Sequence, residues 1–156
     1  MNNMDCFEQC ESLINPFVLP EIYYQYKEFI LGMDYDKKFI NEGKFLLIEQ
    51  SILPITEAVY IYKEFIEQSC QMNTQWPEAL FPVCDYNSQF LFIILYKDKS
   101  IISPVYFLDI GAGDTILEYY SNSLLDVFEN KKTIDSYLTD YDISNLETLP
   151  KSWFKC

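Results

Sequence analysis

Chemistry in this chain has to come from carboxylates, thiols and phenols, because the sequence contains no His and all eleven basic residues are Lys. That removes His-based acid–base catalysis, any nucleophilic triad containing His, His-ligated metal centres and the bidentate Arg clamp for phosphate. Two carboxylate pairs, Asp34 with Asp36 and Asp109 with Asp114, are spaced closely enough to suggest a hard cation or shared proton transfer. Neither lies in the Asp-x-Asp-x-Asp-Gly pattern of a calcium loop. With 24 acidic residues such pairs arise from composition, so both read as solvated loop charge. The five cysteines, Cys6, Cys10, Cys70, Cys84 and Cys156, form no Cys-x-x-Cys pair, and their odd number argues against a disulfide framework. Cys70 and Cys84 read as small core residues and the other three as incidental thiols. The residues themselves therefore imply no catalytic group, no metal and no cofactor.

Three stretches place tyrosine beside acids: Asp34-Tyr35-Asp36, Asp85-Tyr86 and Asp140-Tyr141-Asp142. Tyrosine supplies contact area at low entropic cost, so Tyr35, Tyr86 and Tyr141 are candidate anchors for a protein partner. Asp34, Asp36, Asp140 and Asp142 would attract a basic one. In a chain with thirteen tyrosines the same pattern also follows from ordinary loop composition. The net charge of −13 and pI near 4.2 oppose binding to nucleic acid and to anionic membrane surfaces.

One segment resembles a cofactor motif. Phe107-Leu108-Asp109-Ile110-Gly111-Ala112-Gly113-Asp114 is similar to the glycine-rich first loop of the S-adenosylmethionine-dependent methyltransferases and follows a predicted strand, as that loop must. The surrounding sequence fits poorly. The third glycine position of the dinucleotide version is Ile116, and Thr115 to Tyr120 reads as a strand where a cofactor helix should begin. About forty residues remain after the loop, too few for the further βαβ units of a doubly wound sheet. A hairpin turn that uses glycine for positive φ is the expected structure at Gly111–Gly113, and a small-molecule enzyme using this loop is the alternative.

The elements that would position these residues are organised around Leu80 to Asp109. Phe90 to Tyr96 is an unbroken apolar run, too short for a useful helix and bounded by turn residues, so it predicts a central strand buried on both faces. Lys97 to Ser100 then forms a short loop, and Ile101 to Leu108 returns antiparallel, disturbed at Pro104, which cannot donate to a ladder. A short helix is expected around Phe7 to Ile14, ending before Pro16. Leu19-Pro20-Glu21 starts another, with Ile22, Tyr26, Phe29, Ile30 and Met33 on one face. Lys44 to Ile48 reads as a strand, and Pro54 opens a helix whose stripe runs through Ile55, Ala58, Val59, Tyr62, Phe65, Ile66 and Cys70. Trp76 to Ala79 is a loop whose indole caps the core edge. Ser121-Asn122-Ser123 supplies N-caps for a helix through Leu124, Leu125, Val127 and Phe128. The remainder shows no clear period. The chain, 156 residues long, has no repeat or linker and predicts one α+β domain. It shows neither a signal-peptide pattern nor a run of membrane-spanning length, so a cytoplasmic location is expected.

In this order the elements resemble the SUKH superfamily, which groups fungal cell-wall glucan-synthesis regulators with bacterial immunity proteins that neutralise polymorphic toxins. Four places carry the resemblance: Leu19-Pro20 leading to Tyr26-Lys27-Glu28-Phe29-Ile30-Leu31; Phe45 to Ile48 leading into the helix from Ile55; Phe81-Pro82-Val83-Cys84-Asp85 ahead of the hairpin with Ser103-Pro104-Val105-Tyr106; and Ser123-Leu124-Leu125-Asp126-Val127-Phe128. They span roughly Pro16 to Lys131. Two departures stand out: Gly32-Met33-Asp34 occupies the place of the family's frequent Asn-Gly, and Tyr86-Asn87-Ser88 that of its glycine-containing turn. The resemblance implies a single domain with a central, mostly antiparallel sheet and packed helices. It also implies no catalytic residues and a cognate toxin as partner, and the acidic balance suits a basic toxin. A regulatory scaffold without a toxin partner is the other role the family allows.

Overall fold

A computed structural model describes residues 3–25, 38–41, 48–71, 75–86, 88–124, 126 and 140–155. Its frame is a sheet of seven strands: β1 (Lys38–Asn41), β2 (Ile48–Ile52), β3 (Leu80–Tyr86), β4 (Gln89–Ile94), β5 (Val105–Asp109), β6 (Ile116–Ser121) and β7 (Tyr141–Asp142). They lie side by side in chain order and every neighbouring pair is antiparallel. Helix α1 (Asn3–Ile14), helix α2 (Glu21–Gln25) and helix α3 (Ile55–Gln71), inserted between β2 and β3, complete an α+β fold.

β4 holds the fourth of the seven places, and every residue from Phe90 to Ile94 is buried, as expected for a strand covered on both faces. Phe90 and Phe92 are two residues apart and share a face. Phe65 of α3 packs there with ring centroids 5.4 and 5.8 Å away, and it stacks on Trp76 at 4.5 Å. The Trp76 indole N–H donates to the Leu80 carbonyl at 3.2 Å, which ties the loop before β3 to the core. Along α3, Ile55, Ala58 and Tyr62 are buried while Glu57, Glu67 and Gln68 face solvent, matching the expected stripe. The Tyr62 hydroxyl donates to the Glu78 carbonyl at 2.7 Å, satisfying a polar tip that the core would otherwise strand.

Several expectations change. The strand returning after β4 begins at Val105 rather than Ile101. Ile101 and Ile102 are exposed, and the chain between Leu95 and Pro104 is irregular apart from one bridge between Tyr96 and Val18. The cause lies at Ser103-Pro104. Pro104 has no N–H, and the Ile94 N–H, which faces this side, donates to the Ser103 hydroxyl oxygen at 2.8 Å instead of to a strand carbonyl. Leu80 to Tyr86, read only as a lead-in, is a full strand with a register shift between Pro82 and Cys84. Cys10, taken for an incidental thiol, is fully buried in the core, as Cys84 is, and is a second apolar-like thiol. The C-terminal segment without a clear period carries β7 and two short 3-10 turns, Leu146–Thr148 and Lys151–Trp153, which bring Leu149 and Trp153 into the core.

The helix starting after Pro20 and the strand ending at Ile48 are described only at Glu21–Gln25 and from Ile48 onward. Residues 26–33 and 44–47 lie outside the described residues, and so does the closing helix apart from Leu124 and Asp126. At that helix start, Asp126 N–H donates to Ser123 Oγ at 3.2 Å, the bond expected of an N-cap serine.

Candidate functional site

Antiparallel order brings alternate turns to the same end of the sheet. The β3–β4 and β5–β6 turns meet there and are bonded to each other: Ile110 and Gly111 N–H groups both donate to the Ser88 carbonyl, at 3.1 and 3.2 Å. Ser88 adopts a positive φ of 65°, and the Asp85 carboxylate holds it by accepting its N–H at 3.3 Å. Gln89 Nε2 donates across to Asp109 Oδ2 at 3.3 Å, and Asp109 Oδ1 accepts the Ala112 N–H at 3.0 Å.

β7 continues the same end. Ile116 pairs with Asp142 and Leu117 with Tyr141, and the Ile143 N–H donates to the Thr115 carbonyl at 2.9 Å. Asp142 Oδ1 accepts the Ser144 hydroxyl at 2.6 Å and its N–H at 2.9 Å, and these bonds hold its carboxyl below the usual range. Asp140 Oδ1 accepts the Tyr119 N–H at 2.9 Å. Burial pushes the Asp85 carboxyl up, and the Ser88 N–H pulls it partly back.

This end therefore gathers Asp85, Asp109, Asp114, Asp140 and Asp142, and the described Lys in its strand rows is Lys38 of β1, two strands from Asp85 through Ser51. Four of the five carboxylates accept an N–H from a turn or a neighbouring strand. They are spread along the rim rather than converging: among the described residues no group of three His, Cys, Asp or Glu could hold a metal ion. The rim provides a directional negative field and a row of fixed acceptors. Ile116, 43% exposed, is an apolar side chain among these acids.

The sequence-predicted residues divide among three cases. Asp140, Tyr141 and Asp142 lie on this rim, and Tyr86 reaches it through its backbone pairing with Gln89. Tyr141 is half-buried, its ring centroid 4.7 Å from Trp153 and 5.9 Å from Tyr106, so part of the ring already serves the core. Asp34, Tyr35 and Asp36 lie outside the described residues. Sequence reasoning missed that Asp85, Asp109 and Asp114 join the rim. The available signal was the strand order, since consecutive antiparallel strands force the third and fifth connections, β3–β4 and β5–β6, to the same end.

The glycine loop is a hairpin turn. Gly113 has φ 76°, and a Cβ there would meet nothing within 4 Å, so glycine serves the backbone conformation and makes no room for a ligand. β6 follows the turn, where a cofactor loop would open a helix. No helix among the described residues is long and apolar enough to cross a membrane. In comparisons with known proteins, no family model, no curated protein and no solved structure matches the chain.

Proposed function

We propose that the chain is a non-enzymatic binding protein of SUKH type, an immunity protein that masks a basic toxin domain in the cytoplasm. The observation that carries this reading is the sheet end bearing Asp85, Asp109, Asp114, Asp140 and Asp142, five acids against the one described Lys38 two strands from Asp85, in a chain of net charge −13. Such a field speeds encounter with a cationic partner and repels nucleic acid and anionic lipid. Tightness then comes from apolar anchors between the acids. Ile116 and the exposed part of Tyr141 are the described candidates, with Tyr35 and Tyr86 as further ones from sequence.

The test begins with the neighbouring coding regions, where this reading expects a large secreted protein with a variable C-terminal toxin domain. Co-expression of the chain should protect a host from that domain, and the purified pair should associate at a rate that falls with added salt. Exchanging Asp34, Asp36, Asp140 and Asp142 together for Asn keeps the acceptors that Tyr119 and Ser144 use while removing charge. It should slow association and flatten the salt dependence. Tyr35→Ala, Tyr86→Ala or Tyr141→Ala should act on dissociation instead, at least one of them by about tenfold, or about 1.4 kcal/mol. Absence of protection, or an association rate indifferent to both salt and the Asn exchanges, would remove this reading.

A further inference from the structure

At the opposite end of the sheet a cavity of about 220 Å3 lies between the start of α2, the Lys99–Ser103 loop and the Ser123–Leu124 segment. Ile22, Ile93, Ile101, Ile102 and Leu124 make its walls, and Ile102, 75% exposed, stands at the mouth. Three serines also line it, but the fold already uses them. Ser100 Oγ bonds to Asp98 at 2.8 Å, Ser103 Oγ accepts the Ile94 N–H at 2.8 Å, and Ser123 Oγ accepts the Asp126 N–H at 3.2 Å.

Two opposite charges are left at the rim. The Glu21 N–H donates to the Lys99 carbonyl at 2.9 Å, so the two backbones touch. Yet neither the exposed Glu21 carboxylate nor the exposed Lys99 ammonium has an ion-pair partner among the described residues. An apolar socket flanked by one unspent anion and one unspent cation suits a ligand that is apolar at one end and zwitterionic at the other. An engineered apolar cavity of about 150 Å3 accepts benzene, so this one has room for a branched aliphatic or phenyl group.

We propose that this cavity binds a free apolar α-amino acid. Its side chain sits among Ile22, Ile93 and Leu124, its α-carboxylate meets Lys99 Nζ, and its α-ammonium meets the Glu21 carboxylate. The inference is independent of the toxin-binding reading and uses none of its residues.

The test is calorimetric titration of the full chain with L-leucine and L-phenylalanine, alongside methyl spectra of the protein labelled at isoleucine. Both ligands should bind and shift the Ile22, Ile93 and Ile102 methyl signals. Glycine, which lacks the side chain, should not. N-acetyl-L-leucine lacks the ammonium and L-leucine amide lacks the carboxylate; each should bind about two- to fivefold more weakly, the worth of one solvent-exposed ion pair. Lys99→Met and Glu21→Gln alter exposed side chains and leave the backbone bond between them intact, so the fold persists; each should weaken leucine by a similar factor. Leucine, its N-acetyl form and its amide binding equally would overturn the proposal. So would unchanged methyl signals at about 10 mM leucine, where a millimolar site is nearly saturated.

Discussion

Replacing Ser103 by Ala tests the physical account of why β5 begins where it does. The Ser103 hydroxyl is buried and stands between two backbone groups, accepting the Ile94 N–H at 2.8 Å and donating to the Pro104 carbonyl at 2.6 Å. Ala removes little volume, so the cavity contribution is small, but it leaves the Ile94 amide, which belongs to the central strand, without its acceptor. An unsatisfied buried donor costs about 1–3 kcal/mol. Water entering from the adjoining cavity would bring the cost to the lower end of that range, because Ser103 lines the cavity wall. Ser103→Thr keeps the hydroxyl and should recover most of the loss. Urea unfolding measures both variants, and the slope should stay constant because the surface exposed on unfolding does not change. Amide exchange adds a local reading: Ile94 should lose protection in the Ala variant more than Leu91 does. If Ala and Thr behave alike, or if Ala costs under about 0.5 kcal/mol, a range typical of exposed positions, the serine does not substitute for a ladder bond.

Two further predictions concern titrating groups. Burial pushes the Cys10 thiol up to about 12 and raises Cys84 as well, so neither forms the reactive thiolate near neutral pH. Alkylation followed by peptide mass mapping should leave both unmodified in the native protein and modify both in denaturant; native labelling of either would refute their core placement. Asp85 has a folded pKa raised above 3.8, so its contribution to stability is full below the unfolded value and is lost as pH rises through the folded one. Asp85→Asn can still accept the Ser88 N–H. It should raise the melting temperature at pH 7 relative to the parent, with the gap shrinking toward pH 3; a constant or reversed gap contradicts the burial argument.

What the sequence made legible follows from how local each signal is. The α3 stripe and the β4 apolar run are periodic within one element, so spacing alone revealed them, and the Gly113 turn followed from a backbone conformation that few other residues adopt. The start of β5 was not legible. Ile101 and Ile102 have strand chemistry, and only the side-chain bond from Ser103 to the neighbouring strand moves the boundary to Val105. Cys10 and Trp153 were missed for a related reason. Each is buried by segments far away in the chain: α1 lies against α3, and the Trp153 carbonyl accepts the Ala79 N–H at 2.9 Å. The acidic rim is the extreme case, since Asp85, Asp109 and Asp142 come together only through strand order.

That order also decides whether the two proposed sites can influence each other. β4 runs from the acidic turns at Gln89 to the cavity side at Ile94, and six residues at ~3.3 Å each span ~20 Å. The Debye length at physiological salt is about 8 Å, so the field of Asp109 and Asp142 is largely screened before it reaches Lys99. Both rims are exposed to solvent, so screening applies in full, and no charged side chain lies between them on β4. Substitutions this far apart with no shared partner add within about 0.3–0.5 kcal/mol. Direct electrostatic coupling is therefore small, and a shift at one end caused by ligand at the other would require movement of β4 itself. β4 is the strand least able to move, since its residues from Phe90 to Ile94 are buried and it is paired along both edges. Ligand at either proposed site, the acidic rim or the apolar cavity, should therefore leave the other unaltered.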